Sequence, residues 1–352
     1  MTMEGPRPRV LLIGNFLAEH TDVHNVCYDL RDGLRKAGYD VRFASQKLGR
    51  VQRLLDMAGT TWRARRKVDV AQVDVFSGPA FRWAEVVTAL LARTATPTVL
   101  TLHGGALPEF AARHPGRVRR VLERAATITC PSPFLRRAME PYAQEIEELP
   151  NPVDVDLFEA RWRPIQGPRM LWLRSFHRIY DPVLAVRVLA AVRAEHPDAT
   201  LTMVGSDRDD CRTDVVREAE RLGVHEALSM PGSVPHAAVP AMLDAHEVFL
   251  NTSRVDNAPV SLIEALACGL PVVSTDAGGI PDLIEHGRTG CLVPVGDADG
   301  LAQAVLRLAS DPTFARELSE EGRRHSERRY AWPQIFARWE SLLASAAHSR
   351  PR

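Results

Sequence analysis

From Val248 to Gly279 the chain reads VFLNTSRVDNAPVSLIEALACGLPVVSTDAGG, and this stretch constrains the fold more than any other. The apolar run Val248-Phe249-Leu250 predicts a buried strand. A polar loop with Asp256 follows, then a helix that begins near Pro259, contains Glu264 and stops at Gly269. Pro271-Val272-Val273 predicts a second strand, and Gly278-Gly279 turns the chain again. Two strands joined through a helix make a crossover, the unit of a parallel sheet. Ligands of such sheets bind beyond the carboxyl ends of the strands, which is where Asp256 falls. The free amides of the helix N-terminus favour an anion there, so the segment suits a phosphorylated ligand.

The alternation runs through the whole chain. Val10–Ile13, Val41–Ala44, 73–76, Thr98–Leu102 and Thr127–Cys130 read as strands separated by helical patterns. A second start comes at Arg169–Leu173, followed by a helix over Pro182–Glu195, a strand over 199–204, a helix over 213–222 and strands at 228–230 and 248–250. Between the halves lies Leu149-Pro150-Asn151-Pro152-Val153-Asp154, whose prolines suit a defined passage more than a floppy tether. The expected division is 1–160 for a first Rossmann-like domain and 161–330 for a second, leaving 331–352 as a C-terminal helical segment.

Length and charge narrow the class. At 352 residues the chain can bury two separate cores. Lys and Arg balance Asp and Glu at 44 each, which argues against a dedicated nucleic-acid binder. Five scattered cysteines without C-x-x-C spacing read as reduced thiols of a cytoplasmic protein. No apolar run approaches the roughly 20 residues that span a bilayer, and MTMEGPRPR lacks the apolar core of an export signal.

The segment around Asp256 and Glu264 resembles the nucleotide-sugar site of the retaining glycosyltransferases of family 4. That family carries E-x7-E, a small-residue helix and a G-x-P-V-V strand. Here the pair is Asp256-x7-Glu264, followed by Glu264-Ala265-Leu266-Ala267-Cys268-Gly269, Pro271-Val272-Val273 and Thr275-Asp276-Ala277-Gly278-Gly279. Gly287-Arg288-Thr289-Gly290-Cys291-Leu292-Val293 resembles the family's G-x-T-G-x-L-V hairpin. The resemblance implies the GT-B fold: two Rossmann-like, doubly wound α/β domains facing across a cleft, with a C-terminal helix near Trp332 crossing back to the first domain. It implies transfer of a sugar from a nucleotide diphosphate sugar to a glycan, lipid-linked or small-molecule acceptor, without a metal or other cofactor.

Carried over residue by residue, Arg174 matches the cation on the leaving diphosphate, Glu264 the carboxylate on the ribose, and Asp256 the acid beside the donor sugar. The amides of Val260 and Ser261 are expected to point at a phosphate, and the resemblance places His103, at a strand end before two glycines, near the transferred sugar. Three positions depart from the pattern. Ile179 stands where a Lys is usual, the first turn has only Gly14 of a Gly-Gly pair, and Asp256 replaces Glu. Those departures motivate one rival, a degenerate sugar-nucleotide binder that does not catalyse; the nearest rival among enzymes is an epimerase-like GT-B reaction on a nucleotide sugar. Arg178 and His177 are the substitutes at hand for the Lys.

His20-x-Asp22-x-His24 offers zinc-type ligands, and so a metallohydrolase, but lacks a fourth group; Asp22 as a helix cap accounts for it better. Basic clusters at Arg63, Arg65, Arg66, Lys67 and at Arg113, Arg117, Arg119, Arg120, Arg124 read either as solvated helix faces or as a peripheral contact with an anionic membrane. Phe81-Arg82-Trp83 reads as part of a buried helix or as an apolar edge to such a contact.

Overall fold

The structure, a computed structural model, describes residues 7–16 and 26–349. It divides into two compact units, residues 1–151 with 333–352, and residues 152–332. The His20, Asp22 and His24 loop lies outside the described residues.

The first unit carries a six-stranded sheet of β1 (Val10–Ile13), β2 (Val41–Ala44), β3 (Val70–Val75), β4 (Thr98–Leu102), β5 (Thr127–Cys130) and β6 (Glu147–Glu148). The spatial order is β2-β1-β3-β4-β5-β6, all parallel. Period-two alternation splits β1 between two cores. Leu11 and Ile13 join one face, and Val10 and Leu12 the other. The helix Trp332–His348 belongs to this unit and closes the second face with Ile335, Trp339 and Leu343. Tyr39 donates to Glu340 Oε1 at 3.1 Å, and burial together with that carboxylate pushes its phenol up to about 12.

The second unit carries β7 (Arg169–Leu173), β8 (Thr200–Val204), β9 (Leu228–Gly232), β10 (Val248–Asn251), β11 (Val272–Thr275) and β12 (Cys291–Val293). Their order is β12-β11-β10-β7-β8-β9, again all parallel. The chain winds one way from β7 to β9 and the other way from β10 to β12. The winding therefore reverses between β7 and β10, the position where a doubly wound sheet opens a crevice. Met170 and Trp172 face one core, and Leu171 the other.

Two expectations about local structure change. The segment 287–293 is a tight loop, with Gly287 N donating to Gly290 O at 2.8 Å, that leads into β12 parallel to β11; it does not form an antiparallel hairpin. The strand placed at 73–76 begins three residues earlier, because Gln72 and Asp74 are buried polar residues whose partners lie within the sheet and at its end.

Candidate functional site

In the second unit the site is assembled by the ends of β7 and β10. Arg174 follows β7 directly, and its guanidinium lies over the Tyr180 ring at 4.6 Å. One edge meets Asp256 Oδ2 in an ion pair through Nη2, without hydrogen-bond alignment, and Nε has no acceptor among the described residues. Burial pushes this guanidinium's pKa down, against the pull of Tyr180 and Glu264. A buried cation with spare donors is costly unless an anion completes its shell.

Asp256 sits in a loop whose shape is fixed by a buried polar network. Asn251 donates to Ser274 Oγ and Ser253 Oγ to Asn251 Oδ1, both at 2.9 Å, and Ser253 also reaches Asp256 Oδ2 at 3.2 Å. Asn257 N donates to Asp256 Oδ1 at 2.9 Å. The Tyr180 turn braces the same loop. Thr252 Oγ1 donates to Tyr180 O at 2.8 Å, and Ile179 O accepts from Arg254 N at 2.7 Å.

The glycines after β11 answer to this loop. Gly278, at φ +56°, lies so close to Asp256 O that a Cβ would collide with it, and Gly279 stands likewise against Asn257 O. Gly279 N donates to Asp256 O at 3.1 Å.

The helix Val260–Ala267 starts here, with Pro259 before its first turn. Pro259 lacks an amide hydrogen, so nothing is lost by placing it there. Ser261 Oγ is buried and has no hydrogen-bond partner among the described residues. Glu264, one turn on, is 5% exposed among Leu262, Ile263, Ala265 and Leu266, and its Oε1 meets His236 Nε2 at 2.7 Å. The structure thus brings Arg174 and Asp256 into contact and puts Val260, Ser261 and Glu264 on the adjoining helix.

The substitutes considered for the family's Lys do not converge on this point. His177 pairs with Asp209 Oδ2 at 3.2 Å and accepts from Ile179 N, while Arg178 is exposed. Arg254, held on Asp181 Oδ2 at 2.7 Å, is a further cation on the loop that carries Asp256.

In the first unit His103 follows β4, and its Nε2 lies 3.0 Å from Asp74 Oδ1. Gln72 Nε2 donates to the same oxygen at 2.7 Å and to Thr101 Oγ1 at 2.9 Å. Phe76 stacks on the His103 ring with centroids 5.0 Å apart, so both the plane and one edge of the imidazole are fixed. A Cβ on Gly14 would press into Asp74 Oδ2, which accounts for the single glycine at the end of β1.

Asp74, Phe76, Tyr180 and His236 were not singled out from sequence. Gln72 and Asp74 did leave a signal, as alternate polar residues inside an apolar strand. His236 left none, since its meeting with Glu264 depends on a distant loop.

The cationic and apolar surfaces also sort themselves. Arg117 forks onto Glu85 with two bonds of 2.8 Å, Arg124 donates to Glu85 O and Thr88, and Arg113 pairs with Glu109. In the second basic cluster Arg113 and Arg117 are thus paired with acids, while Arg124 is held by a carbonyl and a hydroxyl. Phe81 is fully buried and Trp83 half-buried, which favours the buried-helix reading of 81–83 over an apolar edge. The five cysteines are buried and unpaired. No described helix is long and apolar enough to cross a membrane, and no described group of His, Cys, Asp and Glu has a metal-binding arrangement.

Comparison with known proteins gives two family matches, Glycosyltransferase Family 4 over residues 11–157 and Glycosyl transferases group 1 over residues 167–311. Among relatives, a GDP-mannose-dependent alpha-(1-6)-phosphatidylinositol monomannoside mannosyltransferase of Mycolicibacterium smegmatis is 29% identical over 66% of this chain and 66% of its own. The chain spans less than two thirds of the length of the curated relatives it matches first, 44% in one case and 66% in the other. Sucrose-phosphate synthase of Thermosynechococcus elongatus superposes with a TM-score of 0.78 at 19% identity, covering 96% of this chain and 99% of that one. Anabaena HepE, solved in complex with UDP, gives 0.75 at 18% identity over 96% and 100%.

Proposed function

We propose that this chain, which belongs to the family 4 and group 1 glycosyltransferases and has the GT-B fold, moves a sugar from a nucleoside diphosphate sugar to an acceptor hydroxyl with retention at the anomeric carbon. The observation that supports it most is the pairing of two unsatisfied donors in one site: the buried Arg174 with a free Nε, and the buried, unpartnered Ser261 Oγ at a helix N-terminus. A diphosphate supplies the acceptors both lack, and its negative charge is favoured by the helix end.

In this reading Glu264 accepts from the ribose hydroxyls, and His236 orients it. Arg174 and the amides of Val260 and Ser261 receive the diphosphate, which draws Arg174 from Asp256. The freed Asp256 carboxylate then meets hydroxyls of the donor sugar. In the first unit His103, locked by Asp74 and Phe76, hydrogen-bonds the sugar or its phosphate. As the anomeric C–O bond to phosphate breaks, Arg174 and the amides stabilise the charge that develops on the leaving oxygen. That oxygen takes the acceptor's proton as the new C–O bond forms on the same face. With those groups in place no metal is needed for the charge. The acceptor class is a glycan, a lipid-linked glycan or a small molecule, and nucleic acid has no part.

Anabaena HepE has been solved with UDP and with UDP-glucose, and the mycobacterial relative is named for GDP-mannose, so uridine and guanosine donors come first in a screen. The test is donor hydrolysis and transfer by wild type and Arg174→Ala in EDTA. We expect EDTA to leave wild-type turnover intact, NMR to show an α product from an α donor, and Arg174→Ala to lose about two to three orders of magnitude in turnover. An inverted product, EDTA-sensitive activity, or an Arg174→Ala variant within a few-fold of wild type would each overturn the mechanism.

A further inference from the structure

We propose that the helix Arg50–Ala64, with the turn before it and the basic segment after it, docks the protein on an anionic lipid surface. Large apolar side chains are rarely left in water in a row, yet this element carries four of them: Leu48 is 58% exposed, Val51 71%, Leu55 66% and Trp62 50%. On the helix itself Val51, Leu55 and Trp62 lie four and seven residues apart, so they share one stripe. The other face is already spent on the fold, where Arg53, Met57, Thr61 and Ala64 are buried. The outward stripe is therefore not a misplaced core.

Charge selects the occupant. From Lys47 to Lys67 there are seven Lys and Arg residues against the single acid Asp56, in a chain whose 44 cations and 44 anions balance overall. Lys47, Arg50, Arg63, Arg66 and Lys67 are exposed around the stripe. In the cluster at 113–124, by contrast, Arg117 is paired with Glu85 and Arg113 with Glu109. Arg65 lies over the Trp62 ring at 3.5 Å, pairing the cation with an amphipathic ring of the kind favoured at a membrane–water boundary. Apolar side chains entering the acyl boundary while Lys and Arg stay among the phosphates is the binding mode of an interfacial helix. The chemistry recognised is thus a sheet of anionic headgroups over hydrocarbon; a lone phosphate satisfies only the cations.

The experiment is co-sedimentation of the full chain with phosphatidylcholine vesicles and with vesicles containing phosphatidylglycerol, over a range of salt. Binding is expected only to the anionic vesicles, weakening as salt rises. Val51→Glu combined with Leu55→Glu should reduce it about tenfold or more without changing the thermal melt. Should that variant melt lower, Val51→Ser with Leu55→Ser supplies the same reading without new charge, and Arg63→Glu with Arg66→Glu tests the cations separately. Absence of binding to anionic vesicles would overturn the proposal. So would full binding by the stripe variants, or a dimer in solution that forms through the stripe while vesicles are ignored.

Discussion

In the proposed function Glu264 and Asp256 divide the donor between them, and their surroundings suggest how. Glu264 is buried and meets His236, while Asp256 is tied to Arg174 and to its own loop. Glu264→Gln should weaken the free nucleoside diphosphate by calorimetry, whereas Asp256→Asn should leave that affinity nearly unchanged and weaken the intact nucleotide sugar. Equal losses of the free nucleotide would undo the assignment. Asp74 is assigned a different duty, since its Oδ1 lies 3.0 Å from His103 Nε2 in the first unit. Asp74→Asn removes the carboxylate that orients the imidazole, so turnover should fall about a hundredfold with nucleotide affinity unmoved. A matching fall in nucleotide affinity would show damage beyond His103. At this scale the sequence was legible where a motif fixes register, as at Arg174 and Glu264. It was silent where partners meet through tertiary contact, as with His236, Tyr180 and the Asp74–His103 pair.

Elements place these residues, and the loops between them carry the strictest requirements. Gly205, at φ +153°, ends β8 where a Cβ would strike the Arg174 carbonyl, and Gly278 does the same for Asp256. The loops that carry Arg174 and Asp256 thus rest on backbone that only glycine allows. Helix and strand identities followed from periodicity, with ends off by one to three residues, while β6 and β12 escaped because two or three residues show no period. On the outer side of the second unit Glu218 joins the helices Pro182–Glu195 and Cys211–Arg221. Hydrogen bonds from Arg221 and Arg187 hold its carboxyl down at about 2. A carboxyl lowered in the folded state stabilises it above the ordinary value, near 4.3, and loses that contribution as pH falls through about 2. Glu218→Gln should therefore cost at most about 1 kcal/mol in urea unfolding at pH 7, because both arginines are exposed. The gap to wild type should narrow between about pH 4 and pH 2; a gap constant across that range would assign the loss to packing instead.

At the scale of the molecule, two sheets of the same class serve different ends. The second has its winding reversal between β7 and β10, with Arg174 and Asp256 at the two strand ends. The first reverses between β1 and β3, beside Gly14 and Asp74. This doubling was legible because each half restarts the strand–helix alternation. The returning helix was legible only through resemblance, since its apolar pattern does not say which sheet it will cover. It covers the first, through Trp339 and Leu343. The claim on which the rest depends is that the second unit binds a nucleoside diphosphate at its winding reversal. Hydrogen exchange of the full chain with saturating UDP, GDP or ADP measures this most directly. Whichever nucleotide binds should slow the amides of 174–180 and 253–264, and Arg174→Ala should abolish that protection. Failure of all three to bind, or protection that appears elsewhere while these segments exchange as before, would contradict the account.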